Sequence, residues 1–154
     1  MMPIHLLLVD DEQGFIEALA KRLGHRDFRT ALCFSGEAAL AYLQENHDVD
    51  VVLMDIQMPG MNGLETLQGI VALQPLVETI MLTAHGTVAT AVSAMRQGAR
   101  DYLVKPCDLE ELTTKVRAAA QRKQERERKI ADVHARPYIT EREKRALIAA
   151  IMAS

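Results

Sequence analysis

Asp10, Asp11, Asp55, Thr83 and Lys105 are the side chains that phosphoryl chemistry needs, and each follows or closes a short apolar run. Three carboxylates brought together repel one another strongly unless a cation sits among them. All-oxygen ligation by a few carboxylates and waters is what Mg²⁺ prefers, and with no His or Cys in the set zinc is a poor candidate. In phosphoryl transfer the transition state spreads negative charge over three equatorial oxygens, which the protein must position and neutralise. Mg²⁺, the Lys105 ammonium and the Thr83 hydroxyl would each take one oxygen, leaving Asp55 as the nucleophile. Each residue alone has a plainer reading. Asp10-Asp11 can cap a helix, Asp55 can sit in a turn ahead of Pro59-Gly60 and Asn62-Gly63, Thr83 can cap the next helix, and Lys105-Pro106 can be a surface loop. The joint arrangement gives the chemical reading its weight.

The elements that must position these residues are legible as alternating patterns. Ile4 to Val9, Phe28 to Phe34, Val51 to Met54, Thr79 to Leu82 and Tyr102 to Val104 read as strands. The first, third and fourth are nearly continuous in Leu, Val, Ile and Met, as strands buried on both faces should be. Phe15, Ile16, Leu19 and Leu23 repeat at helical spacing with Gly24 as the expected C-cap. Ser35 is a candidate N-cap, Val88, Val92 and Met95 mark a fourth helix closed by Gly98, and Asp108 to Glu111 reads as a capping box. Five βα units in series predict an α/β, doubly wound, five-stranded parallel sheet of order 2-1-3-4-5, flavodoxin-like, with its site outside the carboxyl ends of the strands.

Composition bounds the function classes. The chain has 154 residues, 49% hydrophobic and 25% charged, with a net charge of -3, so no global basic field argues for nucleic acid. No apolar run approaches the ~18 residues of a membrane span, and the N-terminus lacks a signal-peptide pattern. Two cysteines, Cys33 and Cys107, make no disulfide framework and read as small apolar residues in a reducing compartment. The expectation is a cytoplasmic protein with no membrane and no direct nucleic-acid partner.

Four segments together resemble the receiver domain of response regulators, the CheY-like module of two-component signalling. They are Val9-Asp10-Asp11-Glu12, Met54 to Gly63, Leu82-Thr83-Ala84-His85-Gly86 and Asp101 to Pro106. The stretch from Thr83 to Tyr102 is most similar to receivers of the nitrogen-regulator class. The resemblance implies Asp55 as phosphoacceptor and Mg²⁺ held by Asp11 and Asp55, with Asp10 assisting and the Gln57 backbone carbonyl completing the set. It implies phosphoryl-binding and switch positions at Thr83, Ala84, Lys105 and Tyr102, a cis bond before Pro106, and Gln57 and His85 as tuners of dephosphorylation. The implied partners are a sensor histidine kinase or phosphotransfer protein, meeting the site near Gln13, Gly14 and Phe15, and a downstream protein effector. Catalysis would be confined to the chain's own phosphorylation and dephosphorylation. Cys107 departs from the pattern: many relatives carry a bulky aromatic after Lys-Pro, so packing beneath the last helix should be looser here.

Two other chemistries use similar parts. A flavin-binding electron carrier shares the sheet, but needs a neutral, glycine-rich phosphate loop where this chain has Asp10-Asp11-Glu12, and only 4% of residues are aromatic. A haloacid-type phosphatase would place a second Asp two residues after its nucleophile on the first strand, and Glu12 stands there. Beyond the receiver (residues 1–122), residues 123–154 read as a helical extension and a short C-terminal helix. Gln121 to Lys129 should form a solvated face with Glu125 and Lys129 at i,i+4 spacing, Arg136-Pro137 should break it, and Thr140 should cap a helix bearing Leu147, Ile148, Ile151 and Met152. That tail could support a homodimer. Its length argues for a stand-alone receiver over one excised from a DNA-binding transcriptional regulator.

Overall fold

Leu6 and Leu8 face one side of the central sheet, Leu7 and Val9 the other, and all four are buried. That double burial is why the strand is apolar at every step rather than at every second one. The computed structural model describes residues 2–84 and 88–154. Its elements are β1 (Ile4–Val9), α1 (Gln13–Gly24), β2 (Phe28–Cys33), α2 (Gly36–Glu45), β3 (Val51–Met54), α3 (Gly63–Leu73), β4 (Glu78–Thr83), α4 (Val88–Arg96), β5 (Asp101–Val104), α5 (Leu109–Ala135) and α6 (Glu141–Ala153). The five strands are parallel in the order β2-β1-β3-β4-β5.

Helices cover both faces. Ile16, Leu19 and Leu23 of α1 and Leu112 and Val116 of α5 pack with Leu6, Leu53 and Ile80 on one side. Ala39 and Leu43 of α2, Leu67 and Ile70 of α3, and Ala94 of α4 pack with Leu7, Met54 and Met81 on the other. Each fully buried Leu or Ile adds on the order of 2 kcal/mol to the hold of sheet on helix.

Several helix ends depart from the sequence expectation. Gly24 does not cap α1; it is the last helical residue, His25 caps in a right-handed conformation, and the left-handed turn falls on Asp27 at φ 66°. Asp108 is the N-cap of α5 but makes no side-chain cap hydrogen bond, so the capping box expected there does not form. The full box lies instead at α3, where Asn62 accepts from the Glu65 amide at 2.9 Å and Glu65 accepts from the Asn62 amide at 3.3 Å. Ser35 and Thr140 do cap, accepting from Ala38 and Glu143 amides. Gly98, at φ 113°, closes α4, and the next amide, Ala99, reaches back to the Ala94 carbonyl at 2.9 Å.

The largest correction concerns α5. It runs on to Ala135, yet the face from Lys123 onward is not simply solvated. Lys123 is buried between Asp50 and Glu127, at 3.4 and 2.7 Å, and Val133 is buried under α6. Arg122 lies 3.0 Å and Arg126 4.0 Å from the buried Glu78 at the start of β4. Both guanidiniums also donate to the C-terminal end of α6, to the Ser154 and Met152 carbonyls at 2.7 to 3.0 Å. A helix end rich in free carbonyls suits such donors. Among the described residues no helix is long and apolar enough to cross a membrane.

Candidate functional site

Parallel strands in register deliver their last residues to one edge. Val9 lies beside Met54, Met54 beside Met81, and Thr83 beside Val104. The ladder continues one step past the strands, through Asp55 N–H to the Val9 carbonyl (3.0 Å), Asp10 N–H to Cys33 (3.1 Å) and Lys105 N–H to Thr83 (2.7 Å). Asp10, Asp55 and Lys105 are thus held by backbone bonds at the sheet's edge rather than hung on free loops. The Lys105-Pro106 bond that follows is cis.

Oxygen atoms of Asp10, Asp11 and Asp55 lie within 4.8 Å of one another, with Asp10 and Asp55 buried and Asp11 exposed. Opposite them the Lys105 ammonium is 2.6 Å from Asp10, 3.5 Å from Asp55 and 3.8 Å from Glu12. Burial pushes the Asp55 carboxyl above the usual range, while the Gln57 amide at 3.2 Å and the Lys105 charge pull it back. For Lys105, burial favours the neutral amine, but the hydrogen bond to Asp10 and the charges of Asp55, Asp10 and Glu12 outweigh it and lift the pKa above the ordinary lysine value. The donor set is all oxygen, and its three carboxylates outnumber the one facing ammonium by two charges, so a hard divalent cation fits it.

Thr83 is buried at the end of β4, Ala84 is exposed just past it, and Tyr102 packs half-buried against the α2–α4 side of the core. Gln57 is exposed beside the cluster, and His85 lies outside the described residues. Asp10, Asp11, Asp55, Gln57 and Lys105 are thus brought together at one edge, with Thr83 at the end of β4 and Tyr102 one strand further on, in the core. Two contacts at the site were not read from the sequence. The Phe15 ring lies under the Lys105 ammonium, 4.3 Å from its centroid, holding the cation from the apolar side. Glu37 accepts from the Met61 amide at 3.0 Å, which ties down the loop after Asp55, and that amide with its own lowers the Glu37 pKa. Beside Cys107 lies a crevice of about 190 Å³ lined by Phe15, Leu19, Pro106, Leu109 and Leu112, which matches the looser packing expected at that position.

Residues 6–117 match the family model for the response regulator receiver domain. The chain belongs to that family. Among its relatives, the transcriptional regulatory protein ZraR of Salmonella typhimurium is 40% identical over 109 residues, which cover 71% of this chain and 24% of ZraR. The chain thus spans about a quarter of the length of ZraR and of the regulatory protein AtoC of Escherichia coli. A receiver domain protein from Clostridium thermocellum superimposes with a TM-score of 0.75 at 30% identity, covering 79% of this chain and 97% of that one. A solved adenylate cyclase chain from Rhodopirellula baltica gives 0.82 at 28% identity, covering 88% of this chain and 100% of that one. The receiver's likeness to the nitrogen-regulator class, read from Thr83 to Tyr102, stands.

Proposed function

We propose that this receiver accepts one phosphoryl group on Asp55 from a histidine kinase or histidine phosphotransfer protein, with Mg²⁺ bound, and passes the change on to a downstream protein. The observation that carries the reading is the packing of three carboxylates within 4.8 Å opposite a single, largely enclosed lysine, Lys105. Asp10, Asp11 and Asp55, with the Gln57 carbonyl, would hold the ion, which supplies positive charge to the phosphoryl oxygens.

An Asp55 oxygen attacks phosphorus, the bond to the donor nitrogen breaks, and the imidazole leaves with its electron pair. Lys105 now grips Asp10 at 2.6 Å. With Asp10 committed elsewhere, the ammonium is free to turn to a phosphoryl oxygen, and the ring of Phe15 keeps it at the site. The Thr83 hydroxyl takes a further oxygen, and its movement opens space beside Tyr102 on the neighbouring strand. Phosphorylation then shifts the population between two conformers by the difference in how well each holds the group. Exchanging Gln57 or His85 should change how fast water removes it. Residues 1–122 carry this chemistry, and residues 123–154 are an appended element. The protein acts as a cytoplasmic phosphoprotein, and its catalysis is limited to its own modification.

Incubation with Mg²⁺ and acetyl phosphate should add one phosphoryl group, seen by intact mass. Labelling that persists in Asp55→Asn, or runs equally well in EDTA, would overturn the assignment.

A further inference from the structure

Ala146 to Ala153 are eight consecutive apolar residues, so α6 is apolar all round over its last two turns. A helix of that kind belongs in an interior. Here it lies against α5, and none of its residues is buried: Leu147, Ile148, Ile151 and Met152 remain partly open to solvent. Between the two helices runs a crevice of about 340 Å³ floored by Val133, Leu147, Ala150 and Ile151 and rimmed by Lys129 and Asp132. At the turn of the same hairpin Tyr138 stands fully exposed, at φ 60°, an aromatic ring held outward by a left-handed backbone.

We propose that the α5–α6 hairpin is a self-association surface, two copies pairing antiparallel about a two-fold axis. Each sends Tyr138 into the Ile151–Ser154 end of the other's crevice. A knob and a hole on one patch make that patch self-complementary, as an isologous interface requires. Charge fits a second copy better than a polyanion. Residues 122–154 carry nine basic and five acidic residues, but Arg122, Lys123 and Arg126 are engaged by Glu78, Asp50 and Glu127. With Glu127 also taken, six basic residues and four acidic ones are left, a rim of mixed sign with only a small positive excess. Two helices about 20 Å long offer on the order of 500–600 Å² per copy, near the lower limit for a stable pair, so the dimer is weak. The Arg122 and Arg126 clamp fixes the hairpin on the sheet and so presents the face ready-made. The proposal does not depend on the phosphoacceptor reading, since it concerns the opposite end of the sheet.

Sedimentation equilibrium of the full chain should show a reversible monomer–dimer equilibrium with Kd of about 10–100 μM. Tyr138→Ala should weaken it by about tenfold or more, and Ala150→Arg should abolish it. Both variants should keep the parent's thermal transition, because both positions are exposed. Mixing Tyr138→Cys with Ala150→Cys should give a mixed disulfide between copies. The proposal is overturned by a chain that stays monomeric at 300 μM, by a dimer unaffected by both variants, or by one that Val92→Lys on α4 dissolves instead. Association with anionic vesicles in place of dimerisation would overturn it equally.

Discussion

The tightest approach to Asp55 comes from a glycine. A Cβ at Gly63, the first residue of α3, would lie 2.7 Å from Ile56 Cα and 3.0 Å from Met81 Cε, and closer still to the Asp55 carbonyl oxygen. Two of those atoms are backbone, which cannot rotate away as a side chain would. Gly63→Ala must therefore drive the Asp55–Ile56 segment from α3 by roughly 1 Å, strain the Gly63 N–H to Ile56 carbonyl bond of 2.8 Å, or both. Overpacking of this kind costs about 1–3 kcal/mol and a lost buried hydrogen bond about 1 more, giving about 2–4 kcal/mol in urea denaturation. The reacting carboxylate moves with its backbone, and a displacement near 1 Å lowers a positioned reaction by about 10²-fold. The rate of labelling by acetyl phosphate should fall by that order. Gly24→Ala is the control: nothing lies within 4 Å of its Cβ, and a helical alanine should be neutral or stabilising by up to about 1 kcal/mol. If Gly63→Ala stays within 0.5 kcal/mol of the parent and labels at the parent rate, the close approach does not govern the site.

Four further outcomes follow from the geometry. Burial raises the Asp55 pKa, so its contribution to stability is full below the usual carboxylate range and is lost as pH rises through the folded value. Asp55→Asn should then raise Tm by a few degrees at neutral pH without divalent ions, and the gain should vanish near pH 3. Lys105 is shifted upward, so its stabilisation is intact below about pH 10 and disappears as the ammonium titrates above it; the alkaline unfolding limb should flatten in Lys105→Met. Gly98→Ala, forced to φ 113° with its Cβ 3.1 Å from Val71 Cγ2, should lose about 1–3 kcal/mol by calorimetry. Glu78→Ala leaves Arg122 and Arg126 facing each other without their shared carboxylate. It should cost about 2–3 kcal/mol and raise amide exchange in α6, whose end those arginines hold.

What could be read from the chain was whatever one strand or one turn decides locally. The strands of the sheet showed themselves because double burial makes them continuous in apolar residues, and strand ends then located Asp10, Asp55, Thr83 and Lys105. Pairings between distant segments were not legible. Nothing in the alternating signs of residues 122 to 129 says that Arg122 and Lys123 turn toward Glu78 and Asp50, more than 40 residues away. Nor does the spacing of Phe15 show that its ring ends beneath Lys105. Asn62-Gly63 looked like a turn because both residues favour one, while the helix that Asn62 caps begins within it.

The shallow seating of α4 bears on how sharply such a protein can respond. Ala91 and Ala94 are the only buried ones among its described residues, two methyl groups worth on the order of 1.5 kcal/mol, with Val88 largely outside and Val92 and Met95 about two-fifths exposed. By the same scale the Ile16, Leu19 and Leu23 anchors of α1 are worth on the order of 6 kcal/mol. A ligand or modification typically distinguishes two conformers by only about 1–3 kcal/mol. α1 is out of reach of a stimulus that size, whereas α4 sits like a catch on a soft spring. Its grip is matched to the push, and the depth of two alanines becomes the sensitivity setting of the protein: Ala91→Leu, if it packs, would make a quieter receiver and Ala94→Gly a restless one.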